Sequence, residues 1–530
     1  MQADILFQNA RLVDGAGTPW FRGDLAVREG AIVAMGNLPG MEAGQVIDAR
    51  DRYLMPGFID AHTHYDWVLL KKPAIFAELR QGVTTLAIGQ CGYSGAPVSD
   101  DSIELYNKYV GFLRGGVTPD WTWRSFKEWL DHLDSLPLGQ NVRSYVGHAT
   151  IWMTALGFTY HRPDPDEMKK MVSMLERCME EGACGMTSGL VYSPGMNCLH
   201  DEMTEVVRGL VPRRGVYETH MRSESSRMVE CVKDSIAVGE ANGIPVQIAH
   251  HKAAGPKNWG SIKESLRLVA EARERGVDVT FNQYPYDSAS TTLRAILPVW
   301  VHEGGVDALC ERLATKATRE RIIKEVLETD CAWENFYEIV SGGPDGIVLL
   351  NFPNTPEVEG KTLSEAATMM HTTPVEAALD LILANRGEDA SAYRFMCEED
   401  TLYALRHPAG MVASDSIPAP EGSNGHPRGA GTFTRLLDHY VKQTGALTLE
   451  EAVRRITSAP ARRLGIMDRG LLAPGLAADI VLLNMETLAD NATYEHPQNS
   501  PDGIDMVMVN GKIAMENGQE QQTGAGRVLR

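Results

Sequence analysis

The sequence predicts an α/β fold, a TIM-like (β/α)8 barrel completed by a β-sandwich that is formed from both chain termini. In the middle of the 530-residue chain, short apolar runs alternate with longer helical patterns, as in βα units around a parallel sheet. Eight such runs can be distinguished, which is the number that closes a barrel. Both ends of the chain instead carry short alternating segments broken by Gly, Asn and Asp, a pattern typical of antiparallel strands.

Helix signals follow the predicted strands where the chain is most regular. From Ser223 onward an apolar face repeats at helical spacing, and Asn242-Gly243 supplies a stop signal. The next helix is predicted to begin at Ser261, with Glu264 completing a capping box. The predicted barrel strands are 54–61, 84–90, 142–147, 182–188, 216–219, 245–249, 278–283 and 410–414.

Three domains are predicted from this order of elements. Residues 1–55 together with 468–530 are expected to form the β-sandwich, and 56–467 the barrel. About 125 residues separate the seventh and eighth barrel strands, far more than a βα loop needs. We therefore expect an inserted subdomain over residues 287–400, lying above the mouth of the barrel.

Composition and charge exclude several classes of partner. The chain has 70 acidic and 50 basic residues, a net charge of −20 that repels nucleic acid and anionic membranes. No apolar run approaches about 18 residues and no signal-peptide pattern opens the chain, so a cytoplasmic location is predicted. The eight cysteines form no CxxC pairs and are expected to be free thiols. The expected partner is a small-molecule substrate, and the oligomeric state is left open.

Candidate metal ligands follow the predicted strands, at the end of a barrel where active sites lie. His62 and His64 end the first strand, and alternate residues of an extended chain point to the same side. Cys91 follows the second strand, and His220 and His250 end two later ones. A Cys/His/His set from three strands predicts a tetrahedral zinc site with one open position.

Three further polar residues stand at strand ends. Asp415 ends the eighth strand, where a carboxylate can both contact a metal and exchange a proton with water. His148 ends the third strand, and its role stays open between a ligand and a structural residue. His251, next to His250, should point to the opposite face of its strand and is predicted to be structural.

The chain as a whole resembles a known family, the amidohydrolase superfamily, and within it the N-acyl-D-amino acid deacylases, or D-aminoacylases. The resemblance implies that Cys91, His220 and His250 hold one zinc tightly. It implies a weaker adjacent position at His62, His64 and Asp415 and leaves open whether a second metal is needed. It also implies that Lys252, Tyr284 and Arg428 bind the substrate carboxylate. The motifs that carry it are MPGFIDAHTH, GQCGYSGAP, SGLVYSPG, YETHMRSES, VQIAHHKAAGPKNWG, TFNQYPY, ASDS, HPRGAGTF and LAPGLAADIVLLN.

The activity implied by this resemblance is hydrolysis of the amide bond of N-acyl-D-amino acids, releasing a carboxylic acid and a free D-amino acid. Asp415 would be the catalytic residue, taking a proton from the attacking water and passing it to the leaving amine. The sequence departs from the family pattern at Gln90, where Asn is usual before the cysteine, and at Ser416, where Gly is usual after the aspartate. Neither change removes a ligand.

Three alternatives are weighed against this reading. A cyclic-amide hydrolase, such as a hydantoinase or dihydroorotase, would need a carboxylated lysine at the end of the fourth strand, but residues 182–192 contain no lysine. A dipeptidase acting on C-terminal D-residues stays open. A non-catalytic scaffold would have lost its ligands, whereas all six candidates are present.

The side-chain preference depends on the start of the insertion. Leu293, Ile296, Leu297 and Trp300, with Leu190 and Tyr192, are predicted to line an apolar pocket for hydrophobic D side chains. Arg294 is predicted to face solvent, since an inward guanidinium would favour an acidic side chain instead. The aromatic residues of the segment Asp100–Trp123 are predicted to pack rather than to reach the pocket.

Overall fold

The centre of the protein is a ring of parallel strands, seen in a computed structural model that describes residues 2–329, 331–420, 424–521 and 524–530. In chain order the strands are β1 (Gln2–Leu12), β2 (Phe21–Arg28), β3 (Ala31–Gly36), β4 (Glu42–Asp48), β5 (Tyr53–Pro56), β6 (Phe58–Asp60), β7 (Val83–Ile88), β8 (Asn141–Ser144), β9 (Val146–Gly147), β10 (Gly185–Gly189), β11 (Val216–His220), β12 (Val246–Ile248), β13 (Val279–Gln283), β14 (Ser288–Thr291), β15 (Ile347–Asn351), β16 (Ala390–Arg394), β17 (Gly410–Val412), β18 (Ile480–Leu483), β19 (Ile504–Val509), β20 (Lys512–Glu516), β21 (Gln519–Glu520) and β22 (Val528–Leu529).

The barrel is built from two parallel sheets that meet at both edges. One sheet runs in the order β17-β13-β12-β11-β10-β9, and the other runs β22-β8-β7-β6. Only Tyr145 separates β8 from β9, which joins the sheets on one side. On the other side Thr63 pairs with Ser416, and the Asp415 amide donates to the His62 carbonyl oxygen. The predicted barrel is confirmed, and each of its eight predicted runs overlaps a barrel strand.

Helices surround this ring, and two of them test the predicted helix signals. The first ends at Asn242 with Gly243 in the left-handed conformation, as predicted, but begins at Met228, later than Ser223. The capping box at Ser261 is wrong: the Ser261 hydroxyl donates to the Asn258 carbonyl oxygen and makes no cap hydrogen bond. The helices are α1 (Phe76–Leu79), α2 (Asp100–Tyr109), α3 (Phe126–Asp134), α4 (His148–Leu156), α5 (Pro165–Glu180), α6 (His200–Val206), α7 (Met228–Asn242), α8 (Ile262–Glu274), α9 (Gly305–Ala314), α10 (Lys316–Val326), α11 (Phe336–Ile339), α12 (Leu363–Met369), α13 (Pro374–Asn385), α14 (Glu398–Arg406), α15 (Arg428–Arg435), α16 (Leu449–Ile456) and α17 (Ser458–Arg463), with a π-helical segment at Leu436–Gln443. Short 3-10 turns lie at Val68–Leu70, Gly111–Leu113, Gly195–Asn197, Val207–Arg213, Pro256–Asn258, Leu293–Ile296, Val299–His302, Gly343–Gly346 and Pro356–Val358.

Strands from both ends of the chain share one sheet beside the barrel. Its order is β21-β20-β19-β18-β5-β1-β2-β3, with β4 also paired to β1. The sheet folds around an apolar core of its own, which includes Phe7, Leu25, Ile480 and Met508. The predicted union of the two termini in a β-sandwich is therefore confirmed.

The segment between β13 and β17 forms a small layer of its own. Strands β14, β16 and β15 make an antiparallel sheet in that order, and helices α9 to α13 accompany it. The predicted domain limits, 287–400 for the insertion and 56–467 for the barrel, stay predictions. Among the described residues, no helix is both long and apolar enough to cross a membrane.

An apolar cluster closes the barrel at the end where its strands begin. It includes Ile59, Tyr145, Cys184 and Val216, all buried. Because apolar side chains fill this end, the polar side chains that follow the strands collect at the opposite end, where barrel active sites lie.

Candidate metal centre

All six predicted ligands lie at the carboxyl ends of barrel strands. His220 is the last residue of β11, and His62 and His250 lie two residues beyond β6 and β12. Cys91 and Asp415 lie three residues beyond β7 and β17. Because these strands are parallel members of one closed ring, their carboxyl ends bring the side chains to one place. His64 joins them from the segment after β6.

The backbone is unusual at three of these residues. Cys91, His250 and Asp415 have φ angles of 50°, 32° and 52°, in the left-handed region that residues other than glycine rarely adopt. Such conformations cost about 1–3 kcal/mol each and persist only where the surroundings enforce them, most often at functional sites. Strain at three converging polar side chains indicates a functional constraint.

The Cys91 thiol lies between three imidazole rings. Its Sγ is 3.4 Å from His62 Nε2, 3.6 Å from His220 Nδ1 and 3.4 Å from His250 Nε2. In tetrahedral zinc coordination, Zn–S and Zn–N bond lengths place a sulfur and a nitrogen ligand about 3.6 Å apart. The predicted Cys91, His220 and His250 set therefore has the spacing and the donor atoms that zinc requires.

Asp415 lies close to His62 and His64, the two histidines outside the predicted set of Cys91, His220 and His250. Asp415 Oδ1 is 3.4 Å from His62 Nε2 and 3.3 Å from His64 Nε2. Ligand atoms of His62, Cys91, His250 and Asp415 all lie within 4.8 Å of one another, and all four residues are buried. The two predicted metal positions are thus next to each other. The Nε2 atoms of His62 and His250, one from each position, lie at the same distance from Cys91 Sγ.

Two glutamates that the sequence analysis did not single out hold the histidine rings. Glu218 Oε1 is 2.9 Å from His62 Nδ1, and Glu224 Oε1 is 3.0 Å from His250 Nδ1. Carboxylates on the second ring nitrogen fix the tautomer and orientation of metal-binding histidines. Glu218 could have been found from the sequence, because it precedes His220 by two residues on the same strand. Its side chain is therefore expected on the same face of that strand as His220.

The protonation states suit metal binding. Burial lowers the pKa of His220 and His250 well below the usual value, which keeps both imidazoles neutral. Burial raises the pKa of the Cys91 thiol, and a coordinated metal would reverse this by stabilising the thiolate. Burial alone would raise the pKa of Asp415, but the Arg428 guanidinium and the nearby histidines hold it well below the usual range.

The predicted carboxylate-binding residues meet around one aromatic ring. Lys252 Nζ lies 5.7 Å from the centre of the Tyr284 ring, and the Arg428 guanidinium carbon lies 4.7 Å from it. Lys252 also contacts Glu224 Oε1 at 2.6 Å, and Arg428 Nη1 lies 2.8 Å from Asp415 Oδ2. Among the described residues, the Tyr284 hydroxyl and Arg428 Nε have no hydrogen-bond partner although both are buried.

A small cavity of about 30 Å³ opens onto this centre, lined by Cys91, Lys252, Tyr284 and Asp415 among others. Phe112 is another of the lining residues. The prediction that the aromatic residues of 100–123 only pack is therefore wrong for Phe112, because its side chain, in a 3-10 turn at Gly111–Leu113, lines this cavity.

Arg294 lies inside the protein, so its predicted exposure is wrong. The side chain is 3% exposed, and its guanidinium stacks on the rings of Tyr109 and Phe112 at 5.1 and 5.4 Å. Ring faces stabilise the buried cation. Among the described residues, Arg294 Nη1 has no hydrogen-bond partner.

The arginine borders a second small cavity that shares walls with the first. Tyr93, Phe112 and Tyr192 line both cavities. Of the residues predicted to form an apolar pocket, Tyr192 lines both cavities and Leu297 lines the one beside Arg294. Leu293, Ile296, Trp300 and Leu190 line neither cavity; Trp300 instead donates from its indole nitrogen to Glu325.

The two other histidines lie outside the ligand groups. His251 Nε2 is 2.8 Å from the Ser265 hydroxyl, in keeping with its predicted structural role. His148 is buried, and burial lowers its pKa to about 4. Both its ring nitrogens lack a hydrogen-bond partner among the described residues.

Comparisons with known proteins agree with this geometry. The pattern of a family described as "Amidohydrolase family" matches residues 45–193 and 295–515. A D-aminoacylase from Alcaligenes xylosoxydans xylosoxydans is 32% identical over 99% of this chain and 97% of its own length. A crystal structure of N-acyl-D-glutamate deacylase from Bordetella bronchiseptica, complexed with zinc and a phosphonate inhibitor that mimics the tetrahedral intermediate, has a TM-score of 0.85 and 31% identity, with both chains covered completely. A D-aminoacylase structure with a binuclear metal centre, described by one-metal activation and second-metal attenuation, has a TM-score of 0.83 and 30% identity over 99% of each chain.

Proposed function

Because the chain belongs to the amidohydrolase family and is related over its whole length to D-aminoacylases, we propose that it is a zinc-dependent deacylase of N-acyl-D-amino acids. The reaction is hydrolysis of the amide bond, which releases a carboxylic acid and a free D-amino acid. The observation that carries this proposal is the buried group of Cys91 and three histidines beside Asp415.

The proposed tight zinc site consists of Cys91, His220 and His250. His62, His64 and Asp415 form the adjacent, weaker position, where a second metal is not required by the proposal. When bound, zinc supplies Lewis-acid chemistry: it makes water a better nucleophile at neutral pH and polarises the amide carbonyl.

Asp415 is the proposed proton carrier. Its low pKa keeps the carboxylate ionised, and its position beside the ligand group lets it accept the proton of the attacking water. An amide nitrogen cannot leave unprotonated, so the same carboxyl then delivers this proton to the leaving amine. Arg428, 2.8 Å from Asp415 Oδ2, orients the carboxylate for both transfers.

The substrate carboxylate is proposed to bind among Lys252, Tyr284 and Arg428. The unpartnered Tyr284 hydroxyl and Arg428 Nε are buried donors, and leaving such groups unpaired is costly. A carboxylate would satisfy both, and the planar guanidinium fork suits it.

Replacing Arg428 with Ala is expected to raise KM for an N-acetyl-D-amino acid about 10- to 100-fold, because a hydrogen bond to a charged group contributes about 1.5–3 kcal/mol. The KM of an uncharged amide analogue of the same substrate should rise much less, whereas kcat should fall on both compounds because Arg428 also orients Asp415. The measurement is steady-state kinetics on both compounds, with Arg435→Ala as the matched control from the same helix α15. An equal rise in KM for the acid and for its amide would contradict carboxylate binding.

The buried Arg294 supports a second, finer proposal, that acidic D side chains are preferred. Its free Nη1 borders the cavity next to the metal centre, where a side-chain carboxylate could reach it past Tyr93 and Tyr192. This replaces the hydrophobic preference that the sequence suggested when Arg294 was taken as exposed.

A chiral panel of N-acetyl and N-formyl amino acids, scored by release of the free amine, tests reaction, handedness and side chain together. We expect D-isomers to react faster than L-isomers, and N-acetyl-D-Glu to have a higher kcat/KM than N-acetyl-D-Leu. Arg294→Leu should reduce kcat/KM for N-acetyl-D-Glu at least about 10-fold, as expected for losing a charge-assisted hydrogen bond. Arg321→Leu, which removes an arginine stacked on Trp300 at 4.0 Å elsewhere in the insertion, should not.

The results of this panel test the deacylase proposal and the proposed preference for acidic side chains separately. Faster turnover of N-acetyl-D-Leu would contradict the role of Arg294 and leave the deacylase proposal intact. Faster turnover of L-isomers, or no amine release from any member, would contradict the deacylase proposal itself.

The other activities considered have less support. A hydantoinase or dihydroorotase-like reaction lacks its bridging lysine in residues 182–192, and Cys91 stands between the two metal positions instead. Hydrolysis of dipeptides with a C-terminal D-residue would use the same carboxylate-binding residues and stays an alternative. The predicted cytoplasmic location also stays a prediction.

A further inference from the structure

A large crevice lies at the end of the barrel opposite to the metal centre. We call it the basal crevice; its volume is about 970 Å³ and its floor includes Cys184 and Val216. Val216 is the first residue of β11 and His220 is the last. At about 3.3 Å per residue, strand β11 separates the crevice from the metal centre by about 13 Å. The basal crevice is thus distinct from the proposed active site.

The lining of the basal crevice carries eight basic and three acidic residues, in a chain whose net charge is −20. Four of the basic side chains, Arg177, Arg213, Arg214 and Arg462, have neither an ion pair nor a side-chain hydrogen bond among the described residues. All four are exposed. Four unpaired guanidinium groups around one concavity create a strongly positive site.

Several of the other charges are engaged, although Glu180 and Glu181 form no ion pair among the described residues and Glu181 accepts only from the Lys127 backbone amide. Arg143 Nη1 donates to the carbonyl oxygens of Gly182 and Leu529 at 3.1 and 2.9 Å. Arg463 pairs with Asp278 at 2.5 Å. These contacts build the walls and also neutralise one of the acidic residues, so the acidic side chains do not balance the four free arginines.

Helix ends alone do not account for this concentration of charge. Basic residues commonly complement the negative carboxyl end of a helix, and Arg177 and Arg462 stand in the last turns of α5 and α17. Arg213 is the last residue of a 3-10 segment and Arg214 caps it with a φ of 52°, so two lining arginines stand at this one end. One residue per helix end would satisfy the helix dipoles without drawing four guanidinium groups together.

We propose that the basal crevice binds a small anion that carries a chain of phosphate groups. Guanidinium forks match phosphate oxygens in two-point hydrogen bonds, and several arginines suit several phosphates. A volume near the upper end of the usual range for small-molecule sites accommodates either an inorganic polyphosphate or a nucleoside triphosphate. The shared chemistry is the phosphate chain, and this site does not depend on the proposed deacylase activity.

Isothermal titration calorimetry on the zinc-loaded enzyme tests this proposal, with inorganic tripolyphosphate, a nucleoside triphosphate and a polyglutamate peptide as ligands at about 0.15 M salt, where weak long-range attraction is screened. The test variant is Arg213→Gln/Arg214→Gln/Arg462→Gln. The control, Lys169→Gln/Lys512→Gln, removes two exposed lysines that lie outside the crevice.

We expect saturable binding of one tripolyphosphate to the wild type and to the control, and binding at least about 100-fold weaker in the triple variant, as the loss of several charge-assisted hydrogen bonds predicts. Deacylase activity and melting temperature of the triple variant should stay unchanged, which would show that it is folded. Tighter binding of the nucleotide than of tripolyphosphate would assign the ligand to nucleotides, and equal binding to the phosphate chain alone. No saturable binding, unchanged binding in the triple variant, or tighter binding of polyglutamate would each overturn the proposal.

Discussion

Replacing Asp415 with Asn is expected to lower kcat for an N-acyl-D-amino acid by about three orders of magnitude, within the range that general acid–base catalysis contributes. The amide side chain has nearly the same shape but can neither accept the proton of the attacking water nor return it to the leaving nitrogen. KM should change little, because Lys252, Tyr284 and Arg428 remain to bind the substrate carboxylate. Zinc content should stay near that of the wild type, because Cys91, His220 and His250 are intact.

The measurement is steady-state kinetics together with metal analysis of the same samples. Asp287→Asn is a suitable control, because Asp287 lies three residues beyond Tyr284 yet is exposed and accepts a hydrogen bond from Tyr494. An Asp415→Asn variant with normal kcat would refute the proton-transfer role. A fall in kcat that matched a loss of zinc would mean that Asp415 acts as a ligand rather than as a proton carrier.

The barrel and its ligands were predictable because both depend on short-range sequence patterns. Parallel strands of a closed barrel all end on one side, so a residue that follows a strand is placed without knowledge of tertiary contacts. His220 and Asp415 are found where this rule puts them, at the ends of β11 and β17. Their assignment as zinc ligands nevertheless stays a proposal, because geometry alone does not identify the bound metal.

Features that depend on distant packing could not be predicted in the same way. The orientation of Arg294 is set by Tyr109 and Phe112, which lie more than 180 residues earlier in the chain. An interpretation that uses only the neighbouring sequence therefore predicts that Arg294 is exposed. Glu224 is similar: nothing in its neighbourhood along the chain shows that it contacts both His250 and Lys252.

Replacing Cys91 with Ala is expected to abolish stoichiometric zinc binding and to lower deacylase activity by at least about 100-fold. The thiol lies within 3.6 Å of the imidazoles of His62, His220 and His250, so it contacts ligands of both predicted metal positions. Removal of one ligand from a three-ligand zinc site leaves two imidazoles, which hold the metal far more weakly. Zinc per chain, measured after dialysis against a weak chelator, gives a readout that is independent of activity.

The chain supplies a matched control in Cys184, which is as deeply buried as Cys91, at 6% against 5% exposure, but lies at the opposite end of the barrel. Cys184→Ala loses the same volume from a buried position and should keep both its zinc and its turnover. A general loss of packing would lower the melting temperature of both variants, whereas a ligand role predicts that added zinc raises the melting temperature of Cys184→Ala much more than that of Cys91→Ala. Full zinc occupancy with normal turnover in Cys91→Ala would remove the thiol from the metal site. The metal would then have to be held without the thiol, either by His62, His64 and Asp415 or by His220, Glu224 and His250.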